Sequence, residues 1–278
     1  MRWRLVARKD FHDSRRSRSL YAGAILFALL GVAIGYAYGD NATQAATGSQ
    51  LVGILLAGFV YLTPLLGLAF AQGAIVTKRS DGELKVLLGL PFSRADFLFG
   101  TFAGRLAVVL ALTLTPFVAS HLVAAVFLAP FDLPFALLAL SVLTVLAVIF
   151  VGLATAFSAA FSGRALTVTA AFGVFLLFFL RVWRFIPVVI LYVANGFSFP
   201  ATTPDWANAF VAFGPLAAVR NVSVALDAKL GFGFGFVGTT VPASPPWYQQ
   251  PAVAALVVAL WATVPLGLAY VRFRDSDL

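Results

Sequence analysis

Residues 135–161, with the sequence FALLALSVLTVLAVIFVGLATAFSAAF, decide the fold because this long apolar stretch contains no charged residue. A helix of about 20 apolar residues crosses the roughly 30 Å hydrocarbon core of a bilayer. We therefore predict a transmembrane helix here. Similar apolar runs predict five further spans, at residues 20–38, 51–76, 105–128, 166–186 and 252–271.

The composition also indicates an integral membrane protein. Of the 278 residues, 61% are hydrophobic and 11% are charged, and the mean hydropathy is +0.96. A soluble globule of this composition could not cover its apolar surface. The predicted spans leave no stretch for a separate soluble domain, so we predict one all-α membrane domain over residues 1–278. Cysteine is absent and Met1 is the only methionine, which excludes metal sites built from sulfur ligands; no metal site is predicted.

The distribution of basic residues predicts the orientation of the six spans. With both termini cytoplasmic, most of the 19 Lys and Arg residues lie on the cytoplasmic side, as the positive-inside rule requires. They are Arg2, Arg4, Arg8, Lys9, Arg15, Arg16, Arg18, Lys78, Arg79, Lys85, Arg94, Arg105, Arg164, Arg272 and Arg274. We therefore expect a multi-pass protein of the plasma membrane.

Two segments outside the spans have distinct patterns. In residues 1–19, Trp3 and Phe11 lie among many cations, which favours an amphipathic cytoplasmic helix on anionic membrane lipid over a solvated basic tail. So short a juxtamembrane run does not predict nucleic-acid binding. Residues 187–251 are rich in Pro, Gly and aromatic residues, and we expect outer or re-entrant helices there.

Residues 78–96, KRSDGELKVLLGLPFSRAD, follow the second predicted span. Ser80 and Glu83 have the spacing of a capping box, and Pro91 limits the helix, so a short cytoplasmic helix is predicted. Three leucines fall on one face of it: Leu84, Leu87 and Leu88. Such an exposed apolar ridge suits a groove on a partner protein. The alternative is contact with lipid or with the chain's own loops.

The same segment resembles the one after the second helix in permeases of type-2 ATP-binding-cassette exporters. The shared features are a charged pair, a glycine, an apolar helix and the order Leu-x-x-Pro-x-x-Arg; the two ends of the chain, near Ala7–Phe11 and after Tyr270, are also similar. In that family the segment forms the coupling helix that touches the ATPase. The resemblance implies these docking residues: Arg79, Asp81, Gly82, Glu83, Leu84, Leu87, Leu88, Pro91 and Arg94.

The resemblance implies an exporter permease that pairs with a second permease, most simply in a homodimer, and with a separate ATPase subunit. The chain has no G-x-x-x-x-G-K-[ST] phosphate loop. ATP and Mg²⁺ are therefore expected on the partner ATPase, and no cofactor or catalytic residue is expected in this chain. An ion-coupled secondary transporter is disfavoured, because every Asp and Glu lies in a predicted loop or at a span end. A non-transporting membrane anchor or sensor stays open.

Arg181 and Arg184 lie in the fifth predicted span. Along a continuous helix from Leu166 they fall about 22 Å and 27 Å away, near the outer edge of the membrane, and their spacing of three places them on one face. Snorkelling to the outer headgroups is the favoured interpretation. A site for an anionic group is the functional alternative.

Glycines recur every fourth residue in the first predicted span, at Gly31, Gly35 and Gly39. Such a pattern allows close approach of a second helix. The sequence leaves open whether that helix belongs to the same chain or to a second subunit.

Overall fold

The computed structural model describes residues 2–41, 47–89, 92–226 and 244–275. Among these residues there are twelve α-helices and no β-strand, which confirms the all-helical class. The helices are α1 (Trp3–Arg15), α2 (Arg18–Asp40), α3 (Gly48–Ala71), α4 (Val76–Ser80), α5 (Glu83–Leu88), α6 (Arg94–Val126), α7 (Leu133–Ala160), α8 (Arg164–Phe179), α9 (Val182–Ala194), α10 (Asp205–Ala212), α11 (Pro215–Leu226) and α12 (Pro251–Arg274). A 3-10 turn at Trp247–Gln249 precedes α12.

Five helical segments are each long and apolar enough to cross a membrane without a sharp bend. They are Arg18–Asp40, Gly48–Ser80, Arg94–Val126, Leu133–Ala160 and Pro251–Arg274. Two helix pairs meet the same criterion only together, α8 with α9 at a bend of 71° and α10 with α11 at a bend of 85°. The described part of the chain thus contains between five and seven candidate spans, a range that includes the predicted six.

The prediction of a continuous fifth span over residues 166–186 is wrong. Helix α8 ends at Phe179, and Arg181 adopts the left-handed conformation at φ 59° before α9 begins at Val182. A left-handed residue interrupts the helical hydrogen-bond pattern and redirects the chain. Hydropathy does not reveal this break, because the residues on both sides of it are equally apolar.

Helix α7, which contains the charge-free stretch, lies at the centre of the bundle. It packs against α3 on one side and α12 on another, and buried residues follow one another along it from Phe135 to Ala159. Close packing with α3 depends on Gly67, where a Cβ atom would lie 3.1 Å from the backbone nitrogen of Val151. Helix α7 is therefore the element around which the other spans are arranged.

The repeated glycines of α2 pack against α6 of the same chain. A Cβ atom on Gly31 would lie 2.6 Å from the carbonyl oxygen of Pro116, and one on Gly39 would lie 2.5 Å from the Phe127 ring. At Gly35 a Cβ atom would overlap the carbonyl oxygen of Ser120. The two backbones therefore approach as closely as the small-residue pattern allows. The glycine stripe is an intrachain contact.

Helix α1 lies across the first part of α6 and forms within the predicted amphipathic segment 1–19. Its buried face consists of Val6, Asp10 and Ser14, spaced at i, i+4 and i+8. Two glycines of α6 make room for it: a Cβ atom on Gly100 would lie 2.6 Å from Val6 Cβ, and one on Gly104 would lie 2.9 Å from Asp10 Cβ. Part of α1 therefore packs on protein.

The bundle has two distinct ends. The basic end is the one where α6 begins and where α7 and α12 finish, and it carries Lys78, Arg79, Arg94 and Arg272. At the opposite end α8 gives way to α9 and α12 begins. Under the predicted orientation, the basic end is cytoplasmic and holds the predicted coupling segment.

Candidate functional site

The segment after α3 forms two short helices rather than one. Helix α4 ends at Ser80, and Gly82, at φ 75°, turns the chain into α5, which begins at Glu83. The predicted capping box of Ser80 with Glu83 is wrong, because Ser80 is the last residue of α4 and Glu83 is already the first residue of α5. Ser80 Oγ instead donates a hydrogen bond to the Thr77 carbonyl oxygen at 2.8 Å. Glycine adopts a positive φ at little cost. The bend at Gly82 therefore sets the start of the predicted coupling helix.

Leu84, the first member of the predicted ridge, points into the chain's own core. Its side chain is 1% exposed and belongs to a buried cluster that includes Phe97 and Phe273. The prediction of an exposed Leu84 is wrong, because packing within the chain already removes this side chain from solvent. Leu87 is half-buried against the same cluster, whereas Val86 is 72% exposed. Val86 thus provides an apolar surface on α5.

The remaining predicted docking residues of this segment differ in exposure. Asp81 is exposed and Gly82 is half-buried. Glu83 keeps 43% of its side chain exposed. The side chain of Leu88 and the whole of Pro91 lie outside the described residues. The accessible part of α4 and α5 therefore centres on Asp81, Glu83 and Val86.

Ser158 of α7 holds the start of α4. Its Oγ accepts hydrogen bonds from the backbone nitrogens of Ile75 at 2.9 Å and Val76 at 3.0 Å, and it is fully buried. The first N–H groups of a helix have no partner within the helix. A buried hydroxyl that accepts two of them ties α4 to the central helix of the bundle.

Two arginines bind the carboxyl end of α7. Arg79 donates to the carbonyl oxygens of Ala159 and Phe161 at 3.1 and 3.0 Å, and Arg272 donates to that of Ala160 at 2.9 Å. The last carbonyl groups of a helix lack helical partners and carry partial negative charge, so cations are favourable there. Arg79 therefore joins α4 to the end of α7.

Arg94 binds the end of α12 in the same way. Its guanidinium donates to the carbonyl oxygens of Phe273 at 2.6 Å and Arg274 at 3.0 Å. The Phe273 ring is fully buried, with the guanidinium carbons of Arg79 and Arg94 lying 5.6 and 5.7 Å from its centroid. Such cation–π contacts stabilise both charges. Arg79 and Arg94 thus anchor the segment inside the chain, and their contact with a partner stays a prediction.

Asp10 of α1 is a residue of this site that the sequence reasoning missed. Its carboxylate is 1% exposed and forms ion pairs with Lys78 Nζ at 3.0 Å and Arg105 Nε at 2.8 Å. A buried charge is stable only when it is paired and hydrogen-bonded. The available signal was the i, i+4 spacing of Asp10 from Val6, which places an acid on the buried face. Asp10 connects α1, α4 and α6.

A second, more exposed ion pair connects α1 to α5. Lys9 Nζ lies 2.9 Å from Glu83 Oε1 and 3.1 Å from Asp13 Oδ2. Partial burial disfavours the ammonium form, but the hydrogen bonds to Glu83 and Asp13 outweigh this effect and raise the pKa of Lys9 above its ordinary value. Lys9 therefore stays protonated at neutral pH and holds the start of α5 beside α1.

The predicted outer arginines lie at the bend between α8 and α9. Arg181 precedes the first residue of α9 and Arg184 occupies its first turn, so they do not share the face of one continuous helix. Both nevertheless line one small cavity of about 60 Å³. Within the described ranges, no group of three or more His, Asp or Glu side chains could hold a metal ion.

Comparison with known proteins identifies the family of this chain. Residues 4–278 match the family model described as ABC-2 family transporter protein. The chain is 29% identical over 284 residues to a probable ABC transporter permease protein NosY of Pseudomonas aeruginosa, with 98% of each chain covered. It is 28% identical over 278 residues to the protein of the same description from Stutzerimonas stutzeri, with 97% of this chain and 96% of that relative covered.

The chain belongs to the ABC-2 family of transporter proteins. It is therefore the transmembrane component of an ABC transporter, as the resemblance of residues 78–96 indicated, and the family implies an ATPase partner. Its apolar helices and its relatives together define a multi-pass membrane protein.

Proposed function

We propose that this chain is the permease of an ATP-driven exporter of the plasma membrane. Two copies form the translocation path as a homodimer, and a separate ATPase binds each copy at residues 78–96. ATP and Mg²⁺ are held by that ATPase. The family assignment supports the ATPase partner, and the absence of a phosphate loop from this chain supports ATP binding on another polypeptide.

One observation carries this proposal: the predicted coupling segment is exposed on one face and fixed to several elements on the other. Val86 and Asp81 face outward. On the inner face, Lys78 is paired with Asp10 of α1, Arg79 is bonded to the end of α7, and Leu84 is packed in the core. A force applied to the outer face therefore reaches α1 and α7 through short, buried contacts.

This arrangement changes which residue is expected to bind the ATPase. Because Leu84 is already buried, Val86 becomes the apolar anchor that a partner can cover, with Asp81 and Glu83 at the rim. Covering one aliphatic side chain stabilises a contact by about 1.5 kcal/mol, or roughly tenfold in affinity. Exposed rim charges contribute less to affinity.

A Val86→Asp substitution tests the proposal. We expect it to reduce about tenfold the ATP-binding-cassette ATPase that co-purifies with the tagged chain from native membranes, and to reduce permease-dependent ATP hydrolysis. The measurement is quantitative mass spectrometry of the purified complex together with an ATPase assay.

The matched control is Leu128→Asp, which introduces the same acid at a residue that is 91% exposed at the opposite end of the bundle. It should leave the amount of ATPase unchanged. Normal ATPase recovery with Val86→Asp would contradict docking on α5 and would favour a membrane anchor or sensor.

A further inference from the structure

Two adjoining hollows lie beside the bend between α8 and α9. The smaller one, of about 60 Å³, is lined by Arg181 and Arg184 and by aromatic and aliphatic side chains such as Phe178 and Trp183. The larger one, of about 310 Å³, is lined largely by apolar residues, including Leu191 and Phe199, with Thr203 and Asn208 at its wall. Arg184 and Val211 line both hollows, so the two adjoin at these residues.

The walls of the smaller hollow are held by specific contacts. Trp183 Nε1 donates to the Phe210 carbonyl oxygen at 3.0 Å, and its ring stacks on the Phe210 ring at 4.4 Å between centroids. The centroid of the Phe178 ring lies 5.4 Å from that of Trp183 and 5.6 Å from that of Trp261 of α12. These aromatic contacts fix the ring positions. The hollow is thus part of the packed structure of α9, α10 and α12.

The electrostatic character of the hollows is cationic. Among the described residues, no Asp or Glu lines either hollow, and the Arg184 guanidinium has no ion pair or hydrogen bond there. The first turn of α9, at the positive end of the helix dipole, adds to the same potential. Cationic side chains at membrane depth normally pair with a counter-charge or mark a ligand site.

The size and composition of the hollows define the ligand they fit. A volume of about 60 Å³ accommodates several water-sized groups and therefore a compact anionic group. The guanidinium groups offer forked donors that match a phosphate or carboxylate. The larger hollow offers apolar walls directly beside them.

We propose that the α8–α9 bend binds an anionic amphiphile, with its phosphate or carboxylate between Arg181 and Arg184 and its apolar tail in the larger hollow. The role of this ligand as transported cargo rests on the proposed exporter function, whereas its binding does not. Arg184 is the central contact because it borders both hollows.

Calorimetry with the full chain in a neutral detergent tests the proposal. Three probes separate charge from tail: dioctanoyl phosphatidylglycerol, dioctanoyl phosphatidylcholine and inorganic phosphate. We expect saturable binding of phosphatidylglycerol at least about tenfold tighter than that of either other probe, because only this probe satisfies both hollows. Arg184→Gln should weaken phosphatidylglycerol binding by about tenfold or more.

The matched control is Arg164→Gln, which removes the same charge from an exposed residue at the start of α8. It should bind phosphatidylglycerol like the unsubstituted chain. Arg184→Lys, which keeps the charge but loses the fork, should give an intermediate affinity. Unchanged binding by Arg184→Gln, or an equal loss in Arg164→Gln, would overturn the site.

Equally tight binding of inorganic phosphate would also overturn the proposal, since the apolar hollow would then contribute nothing. Equal binding of phosphatidylcholine would exclude a role for charge. The Arg184→Gln substitution does not alter α5, so the ATPase should still co-purify with this variant. Measuring that recovery therefore distinguishes a failure of the ligand site at the bend from a failure of the proposed function.

Discussion

At the scale of single residues, the most informative side chain is Asp10. Its carboxylate is 1% exposed, and the paired side chains of Lys78 and Arg105 are only 13% and 20% exposed. Breaking a buried ion pair by removing one partner costs far more than breaking a surface pair, because the remaining charges lose their compensation. Asp10 therefore stabilises the junction of α1 with the predicted coupling segment.

We expect Asp10→Asn to destabilise the chain by about 3 to 5 kcal/mol, since it leaves Lys78 and Arg105 without a counter-charge. The apparent Tm in detergent, followed by intrinsic fluorescence, should fall by about 6 °C or more.

Asp13→Asn is the matched control for this change. Asp13 lies on the same helix and pairs with Lys9, but its side chain is 48% exposed. Removing the Asp13 charge should lower the free energy of unfolding by about 1 kcal/mol or less. Equal Tm values for the two variants would show that the buried triad does not stabilise the fold.

At the scale of helices, the contact between α2 and α6 depends on glycine. A methyl group on Gly31 would lie 2.6 Å from the Pro116 carbonyl oxygen, and backbone atoms cannot easily move away. We expect Gly31→Ala to lower stability by about 1 to 3 kcal/mol through overpacking. The measurement is the Tm of the chain in detergent, with its oligomeric size determined in parallel.

Gly58→Ala of α3 is the control, because a Cβ atom there meets nothing within 4 Å. It should be neutral or raise stability by up to about 1 kcal/mol through helix propensity. A Gly31→Ala chain with normal Tm but altered oligomeric size would place the glycine stripe at a subunit contact instead.

The elements also show how far the sequence alone determines the fold. Helix α7 could be predicted because a long charge-free stretch has one stable arrangement in a bilayer, and α12 follows the same rule. The break at Arg181 could not, because α8 before it and α9 after it are similarly apolar on average. The partner of the Gly31 stripe could not either, since spacing shows that a helix approaches closely but not which helix.

The sequence located the segment of the candidate site, whose docking role stays a prediction, but did not reveal its internal contacts. The charged pair, glycine and apolar turn drew attention to the segment 78–96, and the family match over residues 4–278 confirms the permease family that this segment resembled. The inward orientation of Leu84 was not predictable, because periodicity groups residues on one face without showing what covers that face. Asp10 was missed because its partners Lys78 and Arg105 are distant in sequence.

At the scale of the whole molecule, the basic end combines several helix ends into one structure. Helix α1 is held by Asp10, the end of α7 by Arg79 and Arg272, and the end of α12 by Arg94. The opposite end contains the α8–α9 bend and its cationic hollows. The proposed exporter function requires that a movement received at α5 reach the opposite end, and α7 and α12 are helices that connect the two ends.

The central claim is that α5 contacts a separate ATPase, and cross-linking from one introduced cysteine tests it most directly. The chain contains no cysteine, so Val86→Cys provides a single reactive thiol. With a short reagent that bonds to the thiol at one end and, on illumination, to any neighbouring side chain at the other, this variant should form a cross-linked product that contains the permease and the ATP-binding-cassette ATPase, whereas Leu128→Cys should form none. Absence of that product with Val86→Cys in a complex that still hydrolyses ATP, or its formation with Leu128→Cys instead, would contradict the account.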